Sequence, residues 1–285
     1  MKSMLPCAGV AFWKHFPEQD QDGKSLAKAV LEFQRRFNMD LIKITPASTW
    51  QVQDYGFESH WDGNLAGKRS LVNQGIEQLE KLSVFSTIGA QLEQSRIALQ
   101  EVKWASSGKQ PILFTLFSPS TQLLQLVGFP AFEYLYQTKP DVLNKALTIL
   151  LENTQQAIVA LSDADGLFYA IGQSGWLSQQ PGGFEELFYR YDFPPVSNLP
   201  AQTSVIHLHG SDLPGFLWKA IPSNRTIHYE RTWNVPIEAN HWPGLSTSQL
   251  LEGECEIIPS FITAGCTLPL NFPDTTIDLW KNKVS

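Results

Sequence analysis

The chain has 285 residues and a mass of 32.0 kDa, which suits one large domain or two small ones. A content of 43% hydrophobic and 17% charged residues excludes a chain that is mainly disordered. The formal net charge of −7 disfavours nucleic acid or an anionic membrane as a partner, since the sequence shows no local basic patch. Three cysteines are too few for a disulfide framework, and no apolar run is long enough for a membrane-spanning helix, so we expect a cytoplasmic protein with reduced thiols.

In the first half of the chain, short apolar runs alternate with segments whose apolar residues recur at helical spacing. Residues 10–16 predict a strand, and the turn at Asp22 is followed by a predicted helix. The apolar face of that helix consists of Leu26, Ala29, Val30, Phe33 and Phe37. Residues 41–44 predict a second strand, followed by a polar loop and a helix that carries Leu71, Ile76, Leu79 and Leu82. Residues 111–117 are the clearest buried strand, because the run is short, continuously apolar and bounded by glycine and proline.

The second half continues the same alternation. A long helix is predicted from Pro140, because proline suits the first turn and an apolar stripe follows it. Further strands are predicted at residues 166–171, 204–209, 226–230 and 256–263, and a last helix begins near Pro273. A seventh strand at residues 235–240 contains Pro236, which a central strand tolerates poorly.

Strands that are apolar on both faces and separated by helices indicate parallel β/α units. About eight such units in roughly 250 residues match the size of a closed barrel. We therefore predict an α/β protein with a single (β/α)8 TIM barrel domain over residues 1–285. A doubly wound open sheet is the alternative, although no glycine-rich phosphate turn follows the first strand.

The candidate reactive groups are the polar residues at the carboxyl ends of the predicted strands, where barrel enzymes carry their sites. His207 and His209 end one strand, and a period of two places both on the same face. Glu230 closes the next strand, and Cys266 follows the last one. Two imidazoles, a carboxylate and a thiolate form a plausible zinc set. A His-x-His pair is also compatible with one buried, hydrogen-bonded histidine and one at the rim.

Other residues near these strand ends allow two interpretations. His228 alternates with Glu230 and is a further polar candidate at the barrel mouth. The loop after the second strand contains Trp50, Tyr55, His60 and Trp61, which either stack on a substrate or pack the loop. Asp163 and Asp165 resemble paired acids but precede a buried strand, where helix-end and turn roles are expected.

Four segments together resemble the uroporphyrinogen decarboxylase superfamily of (β/α)8 barrels. They are residues 38–46, 163–169, 207–210 and 265–269. The superfamily also contains zinc-dependent corrinoid-to-thiol methyltransferases and, more distantly, cobalamin-independent methionine synthase. The resemblance covers nearly the whole chain.

The decarboxylase branch fits poorly. Its members carry an arginine-rich first loop before a Pro-Glu pair, whereas residues 9–16 here supply only Lys14 as a fully charged cation before Pro17. The decarboxylase tyrosine falls on Leu124 and its histidine on Cys266, and only the aspartate at Asp40 is kept. A substrate with many carboxylates needs bidentate cationic partners, which the missing arginines would supply.

The methyltransferase branch fits better. Its members carry a His-x-Cys turn, a later glutamate and a Gly-Cys turn. This chain resembles them at His207, Glu230 and Cys266, with His209 in place of the cysteine of the first turn. The resemblance implies zinc bound by these four residues, with Glu230 and Asp40 as catalytic candidates. In that family zinc lowers the pKa of an acceptor thiol, which takes the methyl group of a methylcorrinoid. One fewer protein thiolate leaves the zinc more electrophilic.

We therefore expect a zinc-dependent methyltransferase-like enzyme that moves a methyl group between a corrinoid and a small-molecule thiol, with a corrinoid protein as a candidate partner. The alternatives are a tetrapyrrole decarboxylase and a barrel that binds a small ligand without turnover. The sequence does not predict an oligomeric state.

Overall fold

The computed structural model describes residues 13–39, 41–87, 89–172, 183–199, 204–209, 226–229 and 270. For residues 205–209 and 226–229 the description is of the backbone. The strands are β1 (Ile42–Ile44), β2 (Ser59–His60), β3 (Ser70–Leu71), β4 (Ile112–Phe117), β5 (Gly166–Gly172), β6 (Val205–His209) and β7 (Thr226–Tyr229). The α-helices are α1 (Gly23–Phe37), α2 (Trp50–Gln53), α3 (Ala90–Ser106), α4 (Pro119–Val127), α5 (Phe129–Thr138), α6 (Pro140–Ala160), α7 (Gly183–Leu187) and α8 (Phe193–Asn198). A 3-10 helix spans Ile76–Lys81, and a π-helix spans Phe188–Asp192.

Five of these strands form one parallel sheet in the order β1-β4-β5-β6-β7, and β2 and β3 form a separate antiparallel pair. Within the parallel sheet, helices lie between each strand and the next along the chain from β1 through β6, as parallel pairing requires. The predicted parallel β/α organisation is thus confirmed for the described chain. Of the strand predicted at residues 10–16, the described part shows only a bridge at Lys14. The elements predicted at residues 235–240, 256–263 and from Pro273 lie outside the described residues, so the closed eight-stranded barrel stays a prediction.

The sheet separates two apolar regions. Side chains alternate along each strand, and Ile44, Phe114 and Tyr169 belong to the large core that packs against the helices. The alternate residues Leu113 and Phe168 form a second cluster with Trp13 and Leu41 on the opposite face. We call this opposite face the inner face.

The helix predicted around residues 71–82 is wrong. Leu71 lies in β3, and Ile76–Lys81 is a single 3-10 helix, whereas the α-helix of this unit is α3. The sequence pattern did not predict α3 for two reasons. Its buried side includes small or polar residues such as Ser95 and Ala98, because α1 packs closely there and a Cβ added at Gly23 would lie 2.3 Å from the Gln94 carbonyl oxygen. Its N-terminus is capped from a distance, since Asp54 accepts hydrogen bonds from the backbone N–H groups of Gln91 (2.7 Å) and Leu92 (3.1 Å).

The turn from β4 into α4 fixes the carboxyl end of β5. The Ser118 N–H donates to the Ala170 carbonyl oxygen at 2.9 Å, and the Gly172 N–H donates to Thr121 Oγ1 at 2.6 Å. At the same turn, Ser120 donates to the buried carboxylate of Asp192 from its N–H (3.0 Å) and its hydroxyl (2.5 Å). The π-helix is thereby fastened to the N-terminus of α4.

Asp192 makes stability pH-dependent. Burial raises the pKa of Asp192 to about 6, against the hydrogen bonds from Ser120 and Ser118, which lower it. The folded protein therefore holds the proton more tightly than the unfolded chain, so this contribution to stability is largest below pH 4 and is lost as the pH rises through 6.

We expect the unfolding free energy of the wild type, relative to Asp192→Asn, to fall between pH 4 and pH 7 by on the order of 2 kcal/mol. Urea unfolding at stepped pH measures this difference. Asp192→Ala serves as the comparison, and its unfolding free energy should lie about 1–3 kcal/mol below that of Asp192→Asn at every pH, because the two Ser120 donors lose their acceptor. A constant difference between the wild type and Asp192→Asn from pH 4 to 7 would contradict this assignment.

Candidate functional site

The candidate site lies at the carboxyl edge of the parallel sheet. His209 is the last residue of β6 and is in register with Gly172, the last residue of β5. His207 is in register with Ala170 on one side and with His228 of β7 on the other. Since residues in register on parallel strands share a face, all three histidine positions share the face to which Leu113 and Phe168 belong.

The structure describes some of the site residues predicted from the sequence and not others. His207 and His209 occupy the predicted strand end, and β7 ends at Tyr229, one residue before Glu230. Glu230, Cys266 and Asp40 lie outside the described residues. Among the side chains that the structure describes, no group of three or more His, Cys, Asp or Glu is placed to hold a metal ion. Zinc binding by His207, His209, Glu230 and Cys266 therefore stays a prediction.

Lys43 places a buried cation on the inner face, and the sequence analysis did not identify it as a site residue. Its side chain is 6% exposed, and its Nζ lies 4.3 Å from the centre of the Phe168 ring and 4.6 Å from that of Trp13. The ammonium donates to Thr45 Oγ1 at 3.0 Å. Two ring faces and a hydroxyl offset part of the cost of burying this charge. A lysine inside the apolar strand 41–44, alternating with isoleucines, was the available sequence signal.

His15 is a buried imidazole near the same strand end. Burial, together with the nearby charges of Lys43 and Lys68, lowers the pKa of His15 to about 3, although a hydrogen bond with the Pro46 carbonyl acts to raise it. Its Nδ1 is buried and has no hydrogen-bond partner among the residues that the structure describes. At neutral pH the ring is therefore uncharged. Because the unfolded pKa is higher, His15 costs stability progressively as the pH falls from about 6.5 to 3.

We expect the His15 ring to show the chemical shifts of a neutral imidazole from pH 8 down to pH 5, measured by two-dimensional 15N–1H NMR with the signal assigned through His15→Gln. Over the same interval the wild type should lose stability relative to His15→Gln, by at most about 1.4 kcal/mol per pH unit for one proton. A His15 signal that titrates near pH 6.5 would contradict the buried position.

Two cations, Arg69 and Lys14, have partners within or next to the N-terminal segment. Arg69 Nε donates to the buried Asp20 carboxylate at 2.7 Å, and its Nη2 donates to the Pro17 carbonyl oxygen at 2.6 Å. The Arg69 side chain is 14% exposed, so this ion pair is largely shielded from water. Lys14 Nζ lies over the rings of Phe16 and Phe33, at 5.7 and 5.6 Å from their centres. Both cations therefore serve the packing of the N-terminal segment.

Some aromatic residues of the loop after β1 are buried in the core, and others lie nearer the surface. Trp50 and Tyr55 are buried in the helix-side core, where Tyr55 packs on Phe85 with ring centres 4.7 Å apart. The Trp61 indole N–H donates to the Asn64 carbonyl oxygen at 3.1 Å, and His60 is exposed on β2. For Trp50 and Tyr55 the structure shows core packing.

Asp163 and Asp165 lie at the amino end of β5, opposite the candidate site. Asp165 accepts a hydrogen bond from the Ile112 N–H at 2.9 Å, which anchors the start of β4. The Asp163 carbonyl oxygen accepts one from Lys103 Nζ at 2.8 Å. Both residues thus have structural roles.

Comparison with known proteins relates the chain to a methyltransferase fold. A methyltransferase from Methanosarcina mazei superposes with a TM-score of 0.73 over 99% of this chain and 93% of the other, at 14% sequence identity. No protein-family model matches the chain, and no curated protein matches it in sequence. The likeness establishes a shared fold. In the described part of the chain, no helix has the length and apolar character needed to cross a membrane.

Proposed function

We propose that the chain is a closed (β/α)8 barrel and a zinc-dependent methyltransferase-like enzyme that moves a methyl group between a corrinoid and a thiol. The observation that carries the proposal is the His207–His209 pair at the carboxyl end of β6, in a fold shared with a methyltransferase. Fold alone does not define chemistry, so the histidine pair supplies the argument from the site. The family resemblance described above adds Glu230 and Cys266 as ligands and Asp40 as a catalytic candidate.

Two considerations support a metal at this position. Two imidazoles at alternate positions of one strand share a face without a change in the backbone, and nitrogen donors suit zinc. When bound, zinc supplies Lewis acidity that lowers the pKa of a thiol ligand, so that the thiolate persists at neutral pH.

The proposed reaction balances as a transfer of a methyl cation equivalent. The thiol first loses its proton, and the sulfur lone pair then forms the carbon–sulfur bond while the cobalt–carbon bond breaks and leaves its electron pair on cobalt. The products are a thioether and a reduced corrinoid. The chain must therefore favour an anionic sulfur in a site screened from water.

Lys43 supplies a fixed positive charge for that purpose. Its ammonium lies at the level of Phe168, two residues before the register neighbour of His207, which is about 6.6 Å along the strand. A cation at this depth of the inner face favours the thiolate over the neutral thiol.

We expect purified protein to bind Zn2+ and, under anaerobic conditions, to convert methylcobalamin and a small thiol into cob(I)alamin and the thioether. His207→Ala should lose most bound zinc by elemental analysis and most of the activity followed by visible absorption. Cys266→Ala should lose at least part of both. His60→Ala replaces an exposed histidine on β2 and is the matched control that should keep both.

Two results would overturn the proposal. A wild-type protein that takes up no zinc after incubation with the ion would remove its chemical basis. Zinc uptake without turnover of any tested thiol would instead favour a barrel that binds a small ligand and catalyses nothing.

The decarboxylase alternative receives less support from the structure. The Arg69 guanidinium is held by Asp20 and Pro17, and Lys14 packs over aromatic rings, so neither is a free partner for substrate carboxylates. Leu124, at the place of the decarboxylase tyrosine, packs against the helix-side core.

We therefore expect no efficient decarboxylation when the protein is incubated with uroporphyrinogen and the products are separated by carboxylate number. An authentic decarboxylase assayed in parallel is the positive control. Turnover comparable to that enzyme would show that other cations bind the carboxylates and would reverse the order of the two hypotheses.

A further inference from the structure

We propose that the outer face formed by α1 and α3 binds a second copy of this chain about a two-fold axis. The inference is independent of the proposed methyl transfer. The two helices enclose a groove with a volume of about 270 Å3, which we call the α1–α3 groove. Its apolar lining consists of Ala27, Leu31, Trp104 and Ala105.

Trp104 is the side chain that makes this face suited to association. It is 82% exposed, the highest fraction among the large hydrophobic residues that the structure describes. The buried side of α3 includes Leu92, Leu99 and Val102, so α3 is held against the core without Trp104. Tryptophan buries a large apolar area and is enriched among the residues that dominate protein interfaces. An exposed tryptophan beside an apolar groove therefore offers both halves of a self-complementary contact.

The geometry of the two helices defines where the axis passes. The N–H of Gly23, at the start of α1, donates to Gln94 Oε1, near the start of α3, at 2.8 Å. Eight residues after Gly23, Leu31 lines the groove together with Trp104, which lies ten residues after Gln94. The helices thus run in the same direction, and Trp104 lies at the level of Leu31. A two-fold axis at this level brings the two Trp104 side chains together, each against the groove of the other copy.

The charges around the groove favour a second copy over an acidic or a basic partner. Three cations, Lys24, Lys28 and Arg35, line it together with Glu32 and Glu101. Lys28 and Glu32 form a pair within one copy, with Nζ and Oε1 3.9 Å apart. An acidic partner would meet two carboxylates and a basic partner three cations, whereas a face of mixed charge can complement itself.

The same axis pairs Arg35 of one copy with Glu101 of the other. Arg35 lies four residues, or about 6 Å, beyond Leu31 along α1. Glu101 lies three residues, or about 4.5 Å, before Trp104 along α3. Because the axis reverses the direction of the helices in the second copy, the two residues come to about the same level. The symmetry forms this pair twice, which adds two ionic contacts to the tryptophan contact.

The size of the face sets the expected strength of association. Helix α1 has 15 residues and is therefore about 22 Å long, and two packed helices are about 20 Å wide. A face of this size lies at the low end of specific interfaces. We therefore expect a reversible dimer that dissociates on dilution through the micromolar range.

Analytical ultracentrifugation of the full chain, at concentrations up to about 200 µM, measures the dimer directly. Trp104→Ala should raise the dissociation constant by more than about 100-fold, because the substitution removes the central side chain from both copies. Val159→Ala is the matched control, since Val159 is a 73% exposed apolar residue of α6, outside this face. Its dissociation constant should stay within about twofold of wild type.

A charge exchange tests the two-fold pairing. Arg35→Glu and Glu101→Arg should each weaken self-association by at least about tenfold, because each places like charges opposite one another. An equimolar mixture of the two variants should associate about as tightly as wild type, since both pairs between the copies then again join a carboxylate to a guanidinium. Mixing could not restore a pair that forms within one chain.

Two results overturn the inference: a wild type that sediments as a monomer at every concentration, and a dimer that survives Trp104→Ala and both charge reversals. A mixture that associates no better than its two components overturns the two-fold pairing. Circular dichroism checks that each variant is folded, and Trp104→Gln replaces Trp104→Ala if that variant is not. Zinc uptake and methyl transfer are measured separately, so the failure of one proposal is distinguishable from that of the other.

Discussion

Fixed register between parallel strands is the constraint on which the rest of this structure depends. Each strand presents alternate residues to two faces, and both faces must be covered, so most positions on either face are apolar. The helix-side face meets this requirement with a large aliphatic core, and the inner face with Trp13, Leu41, Leu113 and Phe168. The polar groups on the inner face are the exceptions to this rule, and the proposed site is placed among them for that reason.

Carboxylates remote in sequence hold the strand ends in place. Asp54 caps α3, Asp165 binds the first N–H of β4, and Asp192 binds the first turn of α4. Each contact joins two β/α units, so the position of one carboxyl edge depends on its neighbours. Buried carboxylates carry a desolvation cost, which raises the pKa of Asp54 and Asp192. The strands that lead to the candidate site are thus held at both ends by carboxylates that do not belong to the site.

The sequence was most informative where a pattern is local. Strands β4, β5, β6 and β7 begin and end within two residues of their predicted limits, because short apolar runs between turn residues are distinctive. Helix α3 was missed because its close contact with α1 replaced large apolar residues with small ones, and its cap comes from Asp54. For the site, alternation predicted the shared face of His207 and His209. The adjacency of His228, the ion pair of Arg69 and the aromatic surroundings of Lys43 depend on pairings between distant segments, which no single window of sequence contains.

The π-helix at Phe188–Asp192 makes the length of its segment matter as much as its composition. A π turn accommodates one residue more than an α turn, and each residue of an α-helix turns the chain by about 100°. Deleting one residue between α7 and Asp192 would restore continuous α-helical phase and rotate the carboxylate away from Ser120. Related chains that conserve every side chain of this network but differ by a single deletion here would therefore lose the anchor of α4.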